Sequence, residues 1–144
     1  MTDSSSGYAC WPLLQQAVHR ALAPYPAGTA TVVVDDEEPS IEVIPRNDRA
    51  ATIVLSPAYE DEVNLSAGET DCYVWDDSPV RLAEEVYQIL AGVMAGTLEE
   101  CRDECGEMMA RVDAPRGQIS FGSASLLPVP WSWRRTKHRY EPYT

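Results

Sequence analysis

"TATVVVDDEEPSIEVIPRNDRAATIVLS", residues 29–56, decides the fold class. It holds three runs rich in β-branched residues, 29–36, 40–46 and 50–56, separated by the polar turn material Glu37-Glu38-Pro39 and Asn47-Asp48-Arg49. A parallel crossover needs a dozen or more residues, so connections this short require neighbouring antiparallel strands. Val32–Val34 and Ile53–Leu55 are apolar on both faces, so helix is expected to cover the sheet on at least one side.

The flanks supply that helix. In residues 10–23, Leu14, Ala17, Val18, Ala21 and Leu22 recur at helical spacing, with Gln15, Gln16, His19 and Arg20 opposite. Pro12 suits a first turn, and Pro24, Pro26 and Gly28 end the pattern. Residues 57–70 read as a polar connection with a possible short strand at "EVNLS", and 71–77, "DCYVWDD", as a further strand. Asp77 or Ser78 then caps a helix over about 79–95, with Pro79 in its first turn. Leu82, Val86, Ile89, Leu90, Val93 and Met94 make its apolar stripe, and Gly96 follows its end.

Beyond Gly96 two readings compete. Leu98, Cys101, Cys105, Met108 and Val112 step at helical spacing, whereas "ECG" and "APRG" sit where hairpin turns would fall. Gly106 inside a helix would cost about 1 kcal/mol relative to Ala, which favours strands over 97–103, 107–113 and 118–123. The expected fold class is therefore α+β. An antiparallel curved sheet carries two main helices packed on one face, in the order α-β-β-β-(β)-β-α-β-β-β, followed by an extended C-terminal tail. Residues 1–127 form one domain, with 1–8 expected to be disordered, and 128–144 form a basic, aromatic tail.

Charge narrows the partners. The 144 residues have a formal net charge of −12, with 44% hydrophobic and 24% charged residues. Residues 1–133 hold 22 acidic and seven basic groups, whereas 134–144 hold four basic and one acidic. So acidic a body repels phosphate backbones and favours a basic protein. Nucleic acid is therefore not expected as a partner. No apolar run reaches the ~20 residues of a membrane helix, so no membrane partner is expected. No basic segment followed by an apolar one marks a signal peptide, so the expected compartment is the cytoplasm.

Motifs for chemistry are sparse. There is no P-loop, G-x-G-x-x-G, H-E-x-x-H or G-x-S-x-G, and the two His residues, His19 and His138, stand apart. No catalytic residue, cofactor or metal site is assigned, and an enzyme is not expected. Cys101 and Cys105 could share a helical face, but a structural zinc needs four ligands, and Cys10, Cys72, His19 and His138 are isolated. The four Cys are expected to be reduced thiols. Asp76 and Asp77 fit helix capping better than metal binding.

Three acidic stretches remain as a candidate partner-binding surface: Asp35, Asp36, Glu37 and Glu38; Glu60, Asp61 and Glu62; and Asp76 with Asp77. Burying several carboxylates together is prohibitive, so these must be solvated. In the tail, Trp131 and Trp133 alternate with Ser132 and would face one way in an extended chain. They are expected to anchor it on the protein's own acidic body, with Arg134, Arg135, Lys137 and Arg139 over carboxylates. Docking on a partner, a second copy included, is the alternative.

The amphipathic segment "LAEEVYQILAGVMAGTLEE" (82–100) and the hairpin "VDAPRGQISF" (112–121) are similar in layout to the small, acidic α+β immunity proteins of bacterial, especially actinobacterial, polymorphic toxin systems. The resemblance implies a non-enzymatic, stoichiometric inhibitor that plugs a basic toxin or nuclease with acidic surface. Alternatives are a secretion-chaperone-like homodimer that holds a cargo segment, or a small enzyme or ligand-binding domain without a linear motif.

Overall fold

A computed structural model describes residues 8–102, 108–122 and 137–144. In chain order these form α1 (Trp11–Leu22), β1 (Ala30–Asp35), β2 (Ser40–Pro45), β3 (Ile53–Tyr59), β4 (Glu62–Ala67), β5 (Thr70–Trp75), α2 (Pro79–Met94), β6 (Glu99–Arg102), β7 (Met108–Ala114), β8 (Gly117–Gly122) and β9 (Lys137–Arg139). The fold is α+β with antiparallel sheets. Tyr8, at the edge of the segment expected to be disordered, packs against the core and accepts a hydrogen bond from the Trp11 amide.

The short connections force a meander, β1-β2-β3-β4-β5, each strand antiparallel to the next. β3 starts later than expected because Asn47 holds residues 47–50 in a turn: its side-chain oxygen accepts from the Arg49 amide and its carbonyl from Ala50. β3 then runs through Pro57, which lacks a ladder donor and sits beside a bulge between Pro57 and Tyr59. Most of the presumed polar connection is thus a tight β3–β4 hairpin.

Alternation decides the faces. Ile41, Val43, Ile53, Leu55, Val63 and Leu65 point inward with Leu14 and Val18 of α1 and Leu82, Val86, Leu90 and Val93 of α2; all are buried. Each such side chain contributes about 1.5–3 kcal/mol relative to leaving it exposed. α2 starts on Ser78, whose hydroxyl accepts from the Arg81 amide. It ends in a Schellman motif, with Gly96 N–H to Val93 O (3.0 Å) and Thr97 N–H to Gly92 O (3.2 Å). Gly96 adopts φ 79°, which a side chain would resist.

After Gly96 the strand reading holds: Ala110, Val112 and Ala114 are buried at period two along β7. β6, β7, β8 and β9 make a second sheet in the order β8-β7-β6-β9. The expected single curved sheet is therefore two. β8 runs beside β5 without a ladder: a Cβ on Gly122 would lie 3.1 Å from Thr70 Cγ2, but a cavity of about 300 Å³ lined by Val74, Trp75, Ile89 and Ile119 also lies between them.

Residues 137–144 pair with the body. β9 adds to β6, and the amides of Tyr140, Glu141 and Tyr143 donate to the carbonyls of Leu98, Arg49 and Met94. Glu100 is buried, and its carboxylate accepts from the Thr70 hydroxyl, the Glu69 amide and Tyr140. Arg139, expected over a carboxylate, instead donates to the Gly96 carbonyl (3.3 Å), at the negative end of the α2 dipole.

Candidate functional site: the acidic end of the sheet

In an antiparallel meander, alternate turns fall at the same end. The β1–β2 turn, the β3–β4 turn and the exit of β5 into α2 therefore share one end of the five-stranded sheet, and α1 begins there too. Hydrogen bonds tie them in two pairs, the start of α1 to the β1–β2 turn and the β3–β4 turn to the exit of β5. Trp11 Nε1 donates to Asp36 Oδ1 (3.1 Å), and the Asp76 amide donates to the Asp61 carbonyl (3.0 Å). All nine carboxylates of the three acidic stretches belong to this end.

Their environments differ. Asp35 Oδ1 accepts from the amides of Glu37 and Glu38, closing its turn. Asp36 holds Trp11, whereas Glu60, Asp61 and Asp77 line one cleft of about 550 Å³ with Tyr59, Ala9 and Pro79. Glu38, Glu60 and Glu62 have no ion-pair partner among the described residues. Arg81 is the sole cation of residues 35–38, 59–62 and 75–81; it bonds Asp76 (3.1 Å) and Asp77 (2.6 Å). The Ser78 amide, then Asp77 and Arg81, hold the Asp76 carboxyl below the usual carboxylate range. Both aspartates are thus engaged at the helix start, with Ser78 rather than Asp77 as the cap.

Two aromatic side chains stand at the same end. Tyr59 is 68% exposed and Trp75 is 63% exposed. Trp75 Nε1 donates to Asp61 Oδ2 (2.8 Å), which fixes the indole against the turn rather than folding it inward. Neither was singled out from the sequence. The available signal was their position directly before an acidic turn, in Tyr59-Glu60 and Trp75-Asp76.

The remaining predicted groups are dispersed. Trp131, Trp133, Arg134, Arg135 and Cys105 lie outside the described residues. Cys10 and Cys101 are buried, and Cys72 is half-buried on β5. Burial, then the neighbouring Asp71, pushes the Cys72 thiol up to about 12, so it is protonated and poorly nucleophilic at neutral pH. Arg46 and Arg49 lie in the loop between β2 and β3, at the opposite end of the sheet, and Arg139 reaches the C-terminus of α2 there. No family model, curated protein or solved structure matches the chain. Among the described residues, no helix is long and apolar enough to cross a membrane.

Proposed function

We propose that the chain is a non-enzymatic protein-binding module that neutralises a basic partner, in the manner of an immunity-type inhibitor of a toxin or nuclease. The convergence of three separate acidic stretches on one end of the sheet, beside exposed Tyr59 and Trp75 and with Arg81 as the one cation of those segments, carries the reading. Unpaired carboxylates steer a cationic surface in, while Trp and Tyr are the residue types that anchor interface centres. On this reading the module acts in the cytoplasm. A secretion-chaperone-like dimer has one observation in its favour: edge strand β1 exposes Val33 and Val34. A monomeric native mass at micromolar concentration would remove it.

The test is affinity capture from the native host with the wild type and with a Glu38→Lys/Glu60→Lys/Glu62→Lys variant of unchanged circular dichroism. The wild type should retain a basic protein, and the purified pair should associate at least about tenfold more weakly with the variant, mainly through the on-rate. Co-expression should relieve growth arrest caused by the captured protein. Equal retention by both forms, or an acidic partner, would overturn the proposal.

A further inference from the structure

Among the described residues, no helix or strand covers the face of the five-stranded sheet turned away from the helices. Strands β1 to β5 contain no Lys, Arg or His, but they carry Asp35, Glu42, Glu62 and Asp71. On this face the register sets Val54 beside Ser66 beside Asp71, and in the next row Ser56 beside Asn64 beside Tyr73. Short Ser56, Asn64 and Ser66 thus lie between Val54 and the tall Tyr73 ring. Together they line a trough of about 220 Å³. That is room for roughly seven waters, or for one long side chain.

Among the described residues, Ser56, Asn64, Ser66, Asp71 and Tyr73 make no side-chain hydrogen bond or ion pair. Tyr73 is 68% exposed and its side chain lines the trough. A carboxylate, two hydroxyls, an amide oxygen and an aromatic ring match a planar guanidinium, which has five donors and stacks on aromatic faces. A lysine ammonium would satisfy Asp71 but not the ring and the flanking acceptors together.

We propose that this trough receives the side chain of one arginine presented by a protein partner, its guanidinium on Asp71 and its plane against Tyr73. The choice of occupant rests on the reading of a cationic protein partner; the trough and its chemistry do not. The molecule already contains the same combination elsewhere. Arg20 stacks over the Tyr87 ring, 3.7 Å from its centroid, while bonding Glu84 at 2.6 Å. Tyr73 and Trp75 are both exposed at period two along β5, so the trough shares a sheet face with the Trp75 side chain at the acidic end.

The probe is a capped Gly-Gly-Arg-Gly-Gly peptide, titrated into the ¹⁵N-labelled protein, with Lys and citrulline peptides alongside. Saturable shifts should centre on the amides of Ser66, Asp71 and Tyr73. They should be weaker with Lys, absent with citrulline, and at least about tenfold weaker in Asp71→Asn. Asp71 is exposed, so the rest of that variant's spectrum should superimpose on the wild type. Shifts confined to residues 35–38 and 60–62, or equal titration of Asp71→Asn, would overturn the inference. Peptide binding at the trough without capture of a basic protein would instead sink only the proposed function.

Discussion

The Tyr143 ring is wholly buried, tilted against Tyr25 with centroids 6.4 Å apart, and its hydroxyl donates to the Ala51 carbonyl at 2.6 Å. Removing the ring in Tyr143→Ala should cost about 3–5 kcal/mol, a large share of a typical domain's stability. Tyr143→Phe keeps the ring but leaves a buried carbonyl unpaired, at about 1–3 kcal/mol. Urea denaturation of both variants measures the split, and equal losses would show that the hydroxyl outweighs the packing. Burial, then Tyr25, holds the Tyr143 phenol above its ordinary value. A raised pKa stabilises below the unfolded value of about 10 and the stabilisation fades as pH climbs past it, so Tyr143→Phe should also flatten the alkaline limb. None of this is legible in the tail's sequence, where Trp131 and Trp133 are the more conspicuous anchors. An aromatic residue outside any periodic pattern has no inside or outside until its partner is known, and Ala51 is 92 positions away.

Period is what made the elements legible. The stripe from Leu82 to Met94 and the alternation in β2 and β3 describe surfaces that a neighbour must cover, so helix and strand follow directly. The helical spacing from Leu98 to Val112 carries no weight because it runs across two antiparallel strands, β6 and β7, whereas Ala110, Val112 and Ala114 alternate within one. The division into two sheets and the pairing of β9 with β6 depend on contacts between distant segments, which no local pattern encodes. Gly92 shows how closely the second sheet sits on α2. A Cβ there would collide with Val112 Cγ2 and lie 2.9 Å from the Asp113 carbonyl oxygen. That carbonyl cannot yield easily, because β7 holds it and the Asp113 amide donates to Thr97 Oγ1. Gly92→Ala gains about 1 kcal/mol of helix propensity but overpacks at about 1–3 kcal/mol. We expect the clash to win, with a melting temperature lowered by a few degrees; an unchanged or raised value would mean that β7 gives way.

At the scale of the whole molecule, the fold gathers like charge that an evenly mixed surface would disperse. The acidic stretches were visible one by one; only the parity of the meander brings them to one end. Turns two strands apart lie about 10 Å from each other. At that distance two carboxylates repel by about 0.4 kcal/mol in water, so several pairs together cost on the order of 1 kcal/mol. Glu38, Glu60 and Glu62 have no ion-pair partner among the described residues to offset this. Neutralising them as Glu38→Gln/Glu60→Gln/Glu62→Gln should therefore stabilise the protein by about 1 kcal/mol at low ionic strength. The gain should largely vanish in molar salt, where the screening length falls to about 3 Å. Acid works the other way at Asp76 and Glu84. Burial raises the Glu84 carboxyl, but hydrogen bonds from Arg20 and Gln88 and the charges of Arg20 and Arg116 bring it below its ordinary value, as Asp76 is. Their stabilisation is present above the unfolded carboxylate values near 4 and is lost as pH falls through the lower folded ones. The triple variant retains both groups and should keep that acid limb while its neutral plateau rises. Thermal melts across pH and salt separate the two effects. A variant no more stable than the wild type at low salt would show that these carboxylates lie too far apart, or too well hydrated, to strain the fold. If the plateau rises as expected, the same substitutions should weaken capture of a basic partner, since the charges that oppose folding are those proposed to draw it in.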